Sequence, residues 1–149
     1  MSPENPMVSI IIATYNRREE LRTCLESVAR QQDVDLEVLV VDDGSIDGTG
    51  EMLAEEFPEV RFIDEGESRC GPSHKRNVGM MAASGDFFLF LDSDVVLEDP
   101  LVVHRMQAAL IADPTIGSVG GEIEVADGGA DNVIGWNISS TGHFSAVPV

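Results

Sequence analysis

The sequence predicts an α/β fold with a mostly parallel sheet held between helical layers, and three observations carry that reading. Apolar runs at residues 8–12 (interrupted by Ser9), 38–41 and 87–91 have the pattern of strands covered on both faces. Segments of helical spacing lie between them, as parallel strands require of their connections. Each of these runs also ends in small, polar and acidic residues: Ala13-Thr14-Tyr15-Asn16, Asp42-Asp43-Gly44-Ser45 and Asp92-Ser93-Asp94. In an open parallel sheet the ligand crevice lies beyond the carboxyl ends of the strands, so the three clusters are expected on one rim.

The elements follow in order. Residues 1–7 read as a disordered tail without the basic start and apolar stretch of a signal peptide. After the first strand, Asn16 followed by Glu19 has the form of a capping box, and Leu21, Leu25 and Val28 fall on one helical face. Met52, Leu53 and Phe57 mark a second helix that Pro58 stops. Val60-Arg61-Phe62-Ile63 is a weaker strand. Val78, Met81 and Ala82 mark the buried face of a third helix, with Gly85 placed to end it. Asp99 and Pro100 open a fourth helix as cap and first-turn proline, with Val103, Met106 and Leu110 inward and a stop before Pro114. Residues 116–125 form a fifth strand candidate, interrupted at Gly120-Gly121. From Asp127 onward the periodicity is weak and no element is expected. The resulting organisation is a domain over 8–126 and, over 127–149, the start of an incomplete segment.

Composition excludes several classes. The 149 residues suit one domain, and 43% hydrophobic with 24% charged residues is globular composition. A formal charge of −18 argues against nucleic acid and acidic lipid surfaces as partners. No apolar run approaches the roughly 20 residues of a membrane span. Cys24 and Cys70 match no metal or redox spacing, and Cys24 reads as a small core residue; nothing demands an oxidising compartment, so a cytoplasmic location is expected. Lys75 is the only lysine in this acidic chain. Few lysines with abundant Asp and Glu predict a halophilic protein, whose self-repulsion concentrated salt screens.

Two motifs carry chemistry. Asp92 and Asp94, two residues apart in extended chain, project to one side, where they suit a hard divalent cation that also binds phosphate oxygens. Gly71-Pro72-Ser73-His74-Lys75-Arg76-Asn77 is the one basic stretch, and at a helix start it adds N–H donors and a favourable dipole for an anion. Neither a P-loop nor a dinucleotide fingerprint occurs, and no serine lies in a nucleophile elbow. The three histidines have no metal spacing. His74 is a candidate phosphate donor, while Trp136 and Phe144 read as packing residues.

In order, Val8-Ser9-Ile10-Ile11-Ile12-Ala13-Thr14-Tyr15-Asn16-Arg17, Val41-Asp42-Asp43-Gly44-Ser45-Ile46-Asp47-Gly48-Thr49, Lys75-Arg76-Asn77-Val78-Gly79 through Ala83-Ser84-Gly85-Asp86, and Phe90-Leu91-Asp92-Ser93-Asp94 resemble glycosyltransferase family 2. The resemblance runs from about residue 8 to about residue 121. It implies the nucleotide-binding half of a Rossmann-like GT-A fold. It also implies that Tyr15, with Thr14 and Asn16 shaping the turn, and Asp43 hold the base and ribose of a nucleotide-diphosphate sugar. Asp92 would bind ribose and metal, and Asp94 the metal, a divalent Mn²⁺ or Mg²⁺; Arg76 and Lys75 would lie near the diphosphate. The implied chemistry is inverting displacement at the anomeric carbon, toward a saccharide, lipid-linked or protein-glycan acceptor, at the cytoplasmic face of a membrane if further regions attach it there.

The departure from the family lies downstream. The family's base sits in a second acidic motif well downstream, whereas Glu122, Glu124, Asp127 and Asp131, the last four acids of the chain, have no matching context. No catalytic base is assigned, and a truncated transferase is expected ahead of a non-catalytic nucleotide-sugar-binding or assembly module. A response-regulator receiver is disfavoured, because its acidic pair follows the first strand. A sugar-phosphate nucleotidyltransferase is disfavoured too, because it opens with a glycine-rich loop where this chain has Thr14-Tyr15-Asn16.

Overall fold

The computed structural model describes residues 6–66 and 70–121, and the backbone of two later strands. It divides into two compact units, Met1–Pro100 and Leu101–Val149.

The first unit runs β1 (Met7–Thr14), α1 (Arg18–Val28), β2 (Asp35–Asp42), α2 (Thr49–Glu56), β3 (Arg61–Asp64), α3 (Gly71–Ala82) and β4 (Phe87–Asp92). Its four strands are all parallel, in the order β3-β2-β1-β4. The longest apolar runs take the two central positions, where both faces are covered: Ile10, Ile11 and Ile12 of β1 and Leu39, Val40 and Val41 of β2 are fully buried. The register fixes the rim, because Thr14 pairs with Asp42, Ala13 with Asp92, and Asp42 with Asp64. The carboxyl ends of all four strands are therefore level.

The edges differ from the sequence expectation. Phe88 and Phe90 of β4 are 44% and 46% exposed, so this run is not covered on both faces. Phe88 and Phe90 alternate along the strand and so share one face, and it is this face of the edge strand that is open.

Helix α1 buries Leu21, Cys24, Leu25 and Val28 as its spacing predicts. The expected capping box does not form: Arg17 is the N-cap and no side chain caps the helix. Asn16 is instead left-handed (φ 50°) and spends its side chain across the rim, Oδ1 accepting the Ile46 N–H at 2.8 Å while its own N–H reaches Ser45 Oγ at 2.8 Å. The Arg18 N–H goes to Asp47 (2.9 Å), so a neighbouring loop supplies the helix's anion.

Helix α3 also corrects the sequence. Its buried residues are Lys75 and Gly79, with Val78 and Ala82 half-buried, and Met81 is 84% exposed. Residues 75, 78, 79 and 82 form one helical stripe. Pattern reading misses part of it because a lysine holds its first position. Gly79 lets the helix lie against the sheet, since a Cβ there would stand 2.4 Å from Ile11 Cγ2 and 3.2 Å from Val41 Cγ2. Gly85 does not end α3, which Ala83 caps. A Cβ at Gly85 would meet Ser9 Oγ at 2.4 Å and the Met7 carbonyl oxygen at 2.9 Å, so close approach to β1 is what requires glycine there.

The second unit contains α4 (Val102–Ala112), β5 (Ile116–Ser118), β6 (Gly135–Ser139) and β7 (Phe144–Val147), the strands forming an antiparallel sheet in the order β5-β6-β7. Helix α4 begins after Leu101 rather than at Asp99, and ends before Pro114 as expected. Of the strand expected over 116–125, β5 takes residues 116–118 and residues 119–121 are not strand, while residues 122–125 lie outside the described residues. Two strands occupy the stretch where none is expected, because short antiparallel pairs leave a weak local pattern. The side chains of Trp136 and Phe144, and residues Glu122, Glu124, Asp127 and Asp131, lie outside the described residues. No helix among the described residues is long and apolar enough to cross a membrane.

Candidate functional site

The rim of the first unit opens into a cleft of about 460 Å³. It is built from the ends of β1, β2 and β4 and the first two turns of α3. Thr14, Tyr15, Asp43, Lys75, Arg76, Asp92 and Asp94 all line it. Of the residues expected at a site, Asn16 and His74 are not among those lining it; Asn16 instead cross-links the loops after β1 and β2. A second cavity of about 190 Å³ lies between α1 and the start of β2, walled by residues such as Leu25, Val28, Leu36 and Phe57. It lacks convergent polar groups, so the rim cleft is the candidate site.

The loop after β2 is shaped by Asp42, which is buried and accepts the N–H groups of Gly44 (3.0 Å) and Ser45 (2.6 Å). Its neighbour turns the other way, into the cleft. Asp43 accepts the N–H of Cys70 (3.2 Å) and of Gly71 (3.1 Å), and the Lys75 ammonium at 2.9 Å. The start of α3 was expected to offer its amides to a ligand anion; two of them instead hold this carboxylate of the protein itself. The Lys75 ammonium keeps the Asp43 carboxyl below the usual carboxylate range, against the opposing effect of burial and with help from the Gly71 and Cys70 amides.

Lys75 is 1% exposed, and its second partner is Glu65, at 2.8 Å. Burial works to lower its pKa, but the bonds to Glu65 and Asp43 outweigh burial and raise it. His74 reaches the same Glu65 oxygen at 3.2 Å.

Strand β4 ends at Asp92, and the chain then turns, with the Val95 N–H on the Asp92 carbonyl oxygen at 3.1 Å. The two aspartates therefore do not share an extended chain, as their spacing suggested. The turn nevertheless leaves both on the cleft, with Ser93 buried between them. Asp92 pairs with Arg76 at 2.5 Å and Asp94 with Arg17. Arg17 is the cleft residue that sequence reasoning passed over; its position directly after Thr14-Tyr15-Asn16 was the available signal. Beneath this corner Cys24 is fully buried and donates to the Asp92 carbonyl oxygen at 3.7 Å. Burial, aided by the charges of Asp94 and Asp92, pushes its thiol pKa up to about 12, that of an inert core cysteine.

Two buried polar atoms in the cleft wall have no hydrogen-bond partner among the described residues, Thr14 Oγ1 and Arg76 Nε. Buried polar groups are normally satisfied, so these two are hydrogen-bonding groups that the described residues leave unused. Tyr15 presents a ring that is 41% exposed. An aromatic surface, a fixed carboxylate acceptor, two arginines and two further carboxylates thus share one wall.

The sequence pattern of Glycosyl transferase family 2 matches residues 9–144. The chain belongs to that family. It is 39% identical over 108 residues to the putative glycosyltransferase EpsH of Bacillus subtilis, covering 71% of this chain and 31% of that protein. Among solved structures it resembles the mannosyltransferase PcManGT from Pyrobaculum calidifontis in complex with GDP-Man and Mn²⁺, with a TM-score of 0.67 and 30% identity over 77% of this chain and 35% of that one. It also resembles S. aureus TarS 1–349 in complex with UDP-GlcNAc, with a TM-score of 0.61 and 31% identity over 71% and 31% of the two chains. The parallel sheet with its flanking helices is that of the GT-A glycosyltransferases. The chain spans about a third of the length of these proteins.

Proposed function

We propose that the cleft binds the nucleotide diphosphate of a sugar donor, and that the chain serves an inverting, metal-assisted hexosyltransferase. The observation that carries this reading is the convergence of Thr14, Tyr15, Asp43, Arg76, Asp92 and Asp94 on one wall. Tyr15 supplies a face for the base, with Thr14 Oγ1 beside it as an unspent hydrogen-bonding group. Asp43, acceptor-only while ionised, pairs with a base N–H. Arg76 and Arg17 are the cations for the diphosphate.

The donor set fits a hard divalent cation. Asp92 and Asp94 offer carboxylate oxygens, and among the described residues no cluster of three metal-binding side chains occurs. A Mg²⁺ or Mn²⁺ ion held by one or two carboxylates completes its coordination with phosphate and water oxygens. Asp92 and Asp94 would hold it; when bound it neutralises charge gathering on the departing diphosphate. Their present partners are replaceable: Arg17 and Asp94 are each 49% exposed, and such ion pairs contribute about 0–1 kcal/mol. Arg17 and Arg76 are then released to phosphate oxygens.

Displacement at the anomeric carbon also needs a base for the acceptor hydroxyl, and none is assigned within these residues. The acceptor, whether saccharide, lipid-linked glycan or protein-linked glycan, is a matter for the remaining length of such enzymes. A cytoplasmic site of action, in solution or at a membrane face, suits two free cysteines.

Calorimetric titration with UDP and with GDP, each with and without Mn²⁺, tests the reading. Metal-enhanced binding of one of them is expected; failure of both to bind refutes the donor site. Nucleotide binding without transfer, even when the chain forms part of a longer protein, would instead favour a binding module.

A further inference from the structure

The most buried charge among the described residues of the first unit belongs to a side chain that an exposed phosphate ligand would not need to bury. Lys75 lies on the sheet-facing stripe of α3, 1% exposed, with its ammonium between two carboxylates. A buried ammonium persists only where opposite charge and hydrogen bonds surround it. Here those partners come from two loops: Asp43 after β2 and Glu65 after β3. The loops are themselves tied, the Glu65 N–H lying 3.5 Å from the Asp42 carbonyl oxygen.

The donors to Asp43 share an origin. Cys70 N, Gly71 N and Lys75 Nζ all belong to the first two turns of α3 or its cap. Two backbone amides at the helix start and one ammonium from the next turn leave the carboxylate little rotational freedom. Arg76, the next residue, points its guanidinium to Asp92 on the other side of the cleft. Adjacent basic residues thus have different environments, one buried behind the Asp43 carboxylate and one at the opposite aspartate.

We infer that Lys75 is a positioning residue for base recognition: it fixes the Asp43 carboxylate, and with it the loop after β3, rather than contacting the diphosphate. This rests on the reading of the cleft as a nucleotide-sugar site. It separates two subsites, a base subsite that depends on Lys75 and a diphosphate subsite that does not.

Inorganic pyrophosphate probes the second subsite alone, so the test compares it with whichever of UDP and GDP binds tighter, by calorimetry on the full chain with Mn²⁺. Lys75→Met is expected to weaken the nucleotide about tenfold or more while leaving pyrophosphate within about twofold, and Lys75→Arg, which retains charge and donors, to restore part of the loss. Equal losses for nucleotide and pyrophosphate would assign Lys75 to the diphosphate and overturn the inference, as would an unchanged nucleotide affinity. If Lys75→Met does not fold, Lys75→Gln keeps a hydrogen-bond donor but removes the charge that holds the Asp43 carboxylate. It is expected to lower nucleotide affinity by about threefold or more with pyrophosphate unchanged, and no change would again overturn it. A wild-type chain that binds pyrophosphate but neither nucleotide refutes the donor-site reading itself, an outcome separate from any pattern among the variants.

Discussion

Gly79→Ala sets two effects of opposite sign against each other. In a helix interior, glycine to alanine normally stabilises by about 1 kcal/mol. At this position the new methyl would stand 2.4 Å from Ile11 Cγ2 and 3.2 Å from Val41 Cγ2. Carbon atoms sit best about 3.5–4.0 Å apart, so the helix or Ile11 must move by roughly 1 Å. Ile11 has nowhere to go, being fully buried in a central strand. Overpacking of this kind costs about 1–3 kcal/mol, and the fixed backbone on both sides places it toward the upper end. The net expectation is a loss of about 1–2 kcal/mol, or a fall in Tm of roughly 3–8 °C for a chain of this size. Lys75 and Arg76 lie one turn back on the same helix, so nucleotide affinity should fall as well, although Gly79 is not among the residues lining the cleft. Thermal unfolding followed by circular dichroism, with a parallel nucleotide titration, measures both. An unchanged or raised Tm would show that α3 does not press on β1 as described, and the placement of its basic residues would fall with it.

Thr14→Val removes a buried hydroxyl without a partner among the described residues, so the ligand-free protein should gain about 1 kcal/mol while nucleotide affinity drops by about threefold or more; loss of stability would mean that the hydroxyl is already satisfied. Asp94→Ala should weaken Mn²⁺-dependent pyrophosphate binding by about tenfold or more while sparing metal-free binding, and equal affinity with and without it rejects Asp94 as a ligand. At −18 net charge, the midpoint of urea unfolding should rise as salt is raised toward about 1 M, where screening acts within roughly 3 Å; a flat response would remove the halophilic reading. Asp43 and Glu65 titrate below their ordinary 3.8 and 4.5, so their contribution is complete above those values and is lost as pH falls through the lowered ones. Lys75 titrates above 10.5, so its contribution is complete below that value and is lost only as pH rises past the raised one. Stability from this network should therefore be level between about pH 5 and 10 and decline outside it, with a smaller acid decline in Asp43→Asn; equal acid declines would place the effect elsewhere.

What the sequence revealed and what it hid divide along the range of the forces involved. The central strands were legible because Ile10 to Ile12 and Leu39 to Val41 need burial on both faces, and a continuous apolar run states that need locally. The rim was legible because a parallel sheet puts the carboxyl ends of its strands together, so polar clusters read separately at Tyr15, Asp43 and Asp94 reach one cleft. Asn16 was misread because its partners are about thirty positions away: an Asn three residues before a Glu looks like a cap until Ile46 and Ser45 claim it. Strands β6 and β7 were missed for the related reason that an antiparallel pair is stabilised by its partner strand more than by its own composition.

Helix α3 shows why the remaining error and the remaining inference have one source. Hydropathy assigns lysine to solvent, so of the stripe 75, 78, 79 and 82 only Val78 and Ala82 were read, and Met81 was placed inside with them. A lysine enters a core only when carboxylates accompany it, and those carboxylates must come from elsewhere in the chain. The position that breaks the apolar pattern is therefore the position that binds two loops together, and one of those loops carries the acceptor that faces the ligand. In Gly71–Ala82 the failed prediction of a buried face and the proposed fixing of Asp43 are a single physical fact: the helix packs on the sheet through an ion cluster at one end and through a glycine at the other.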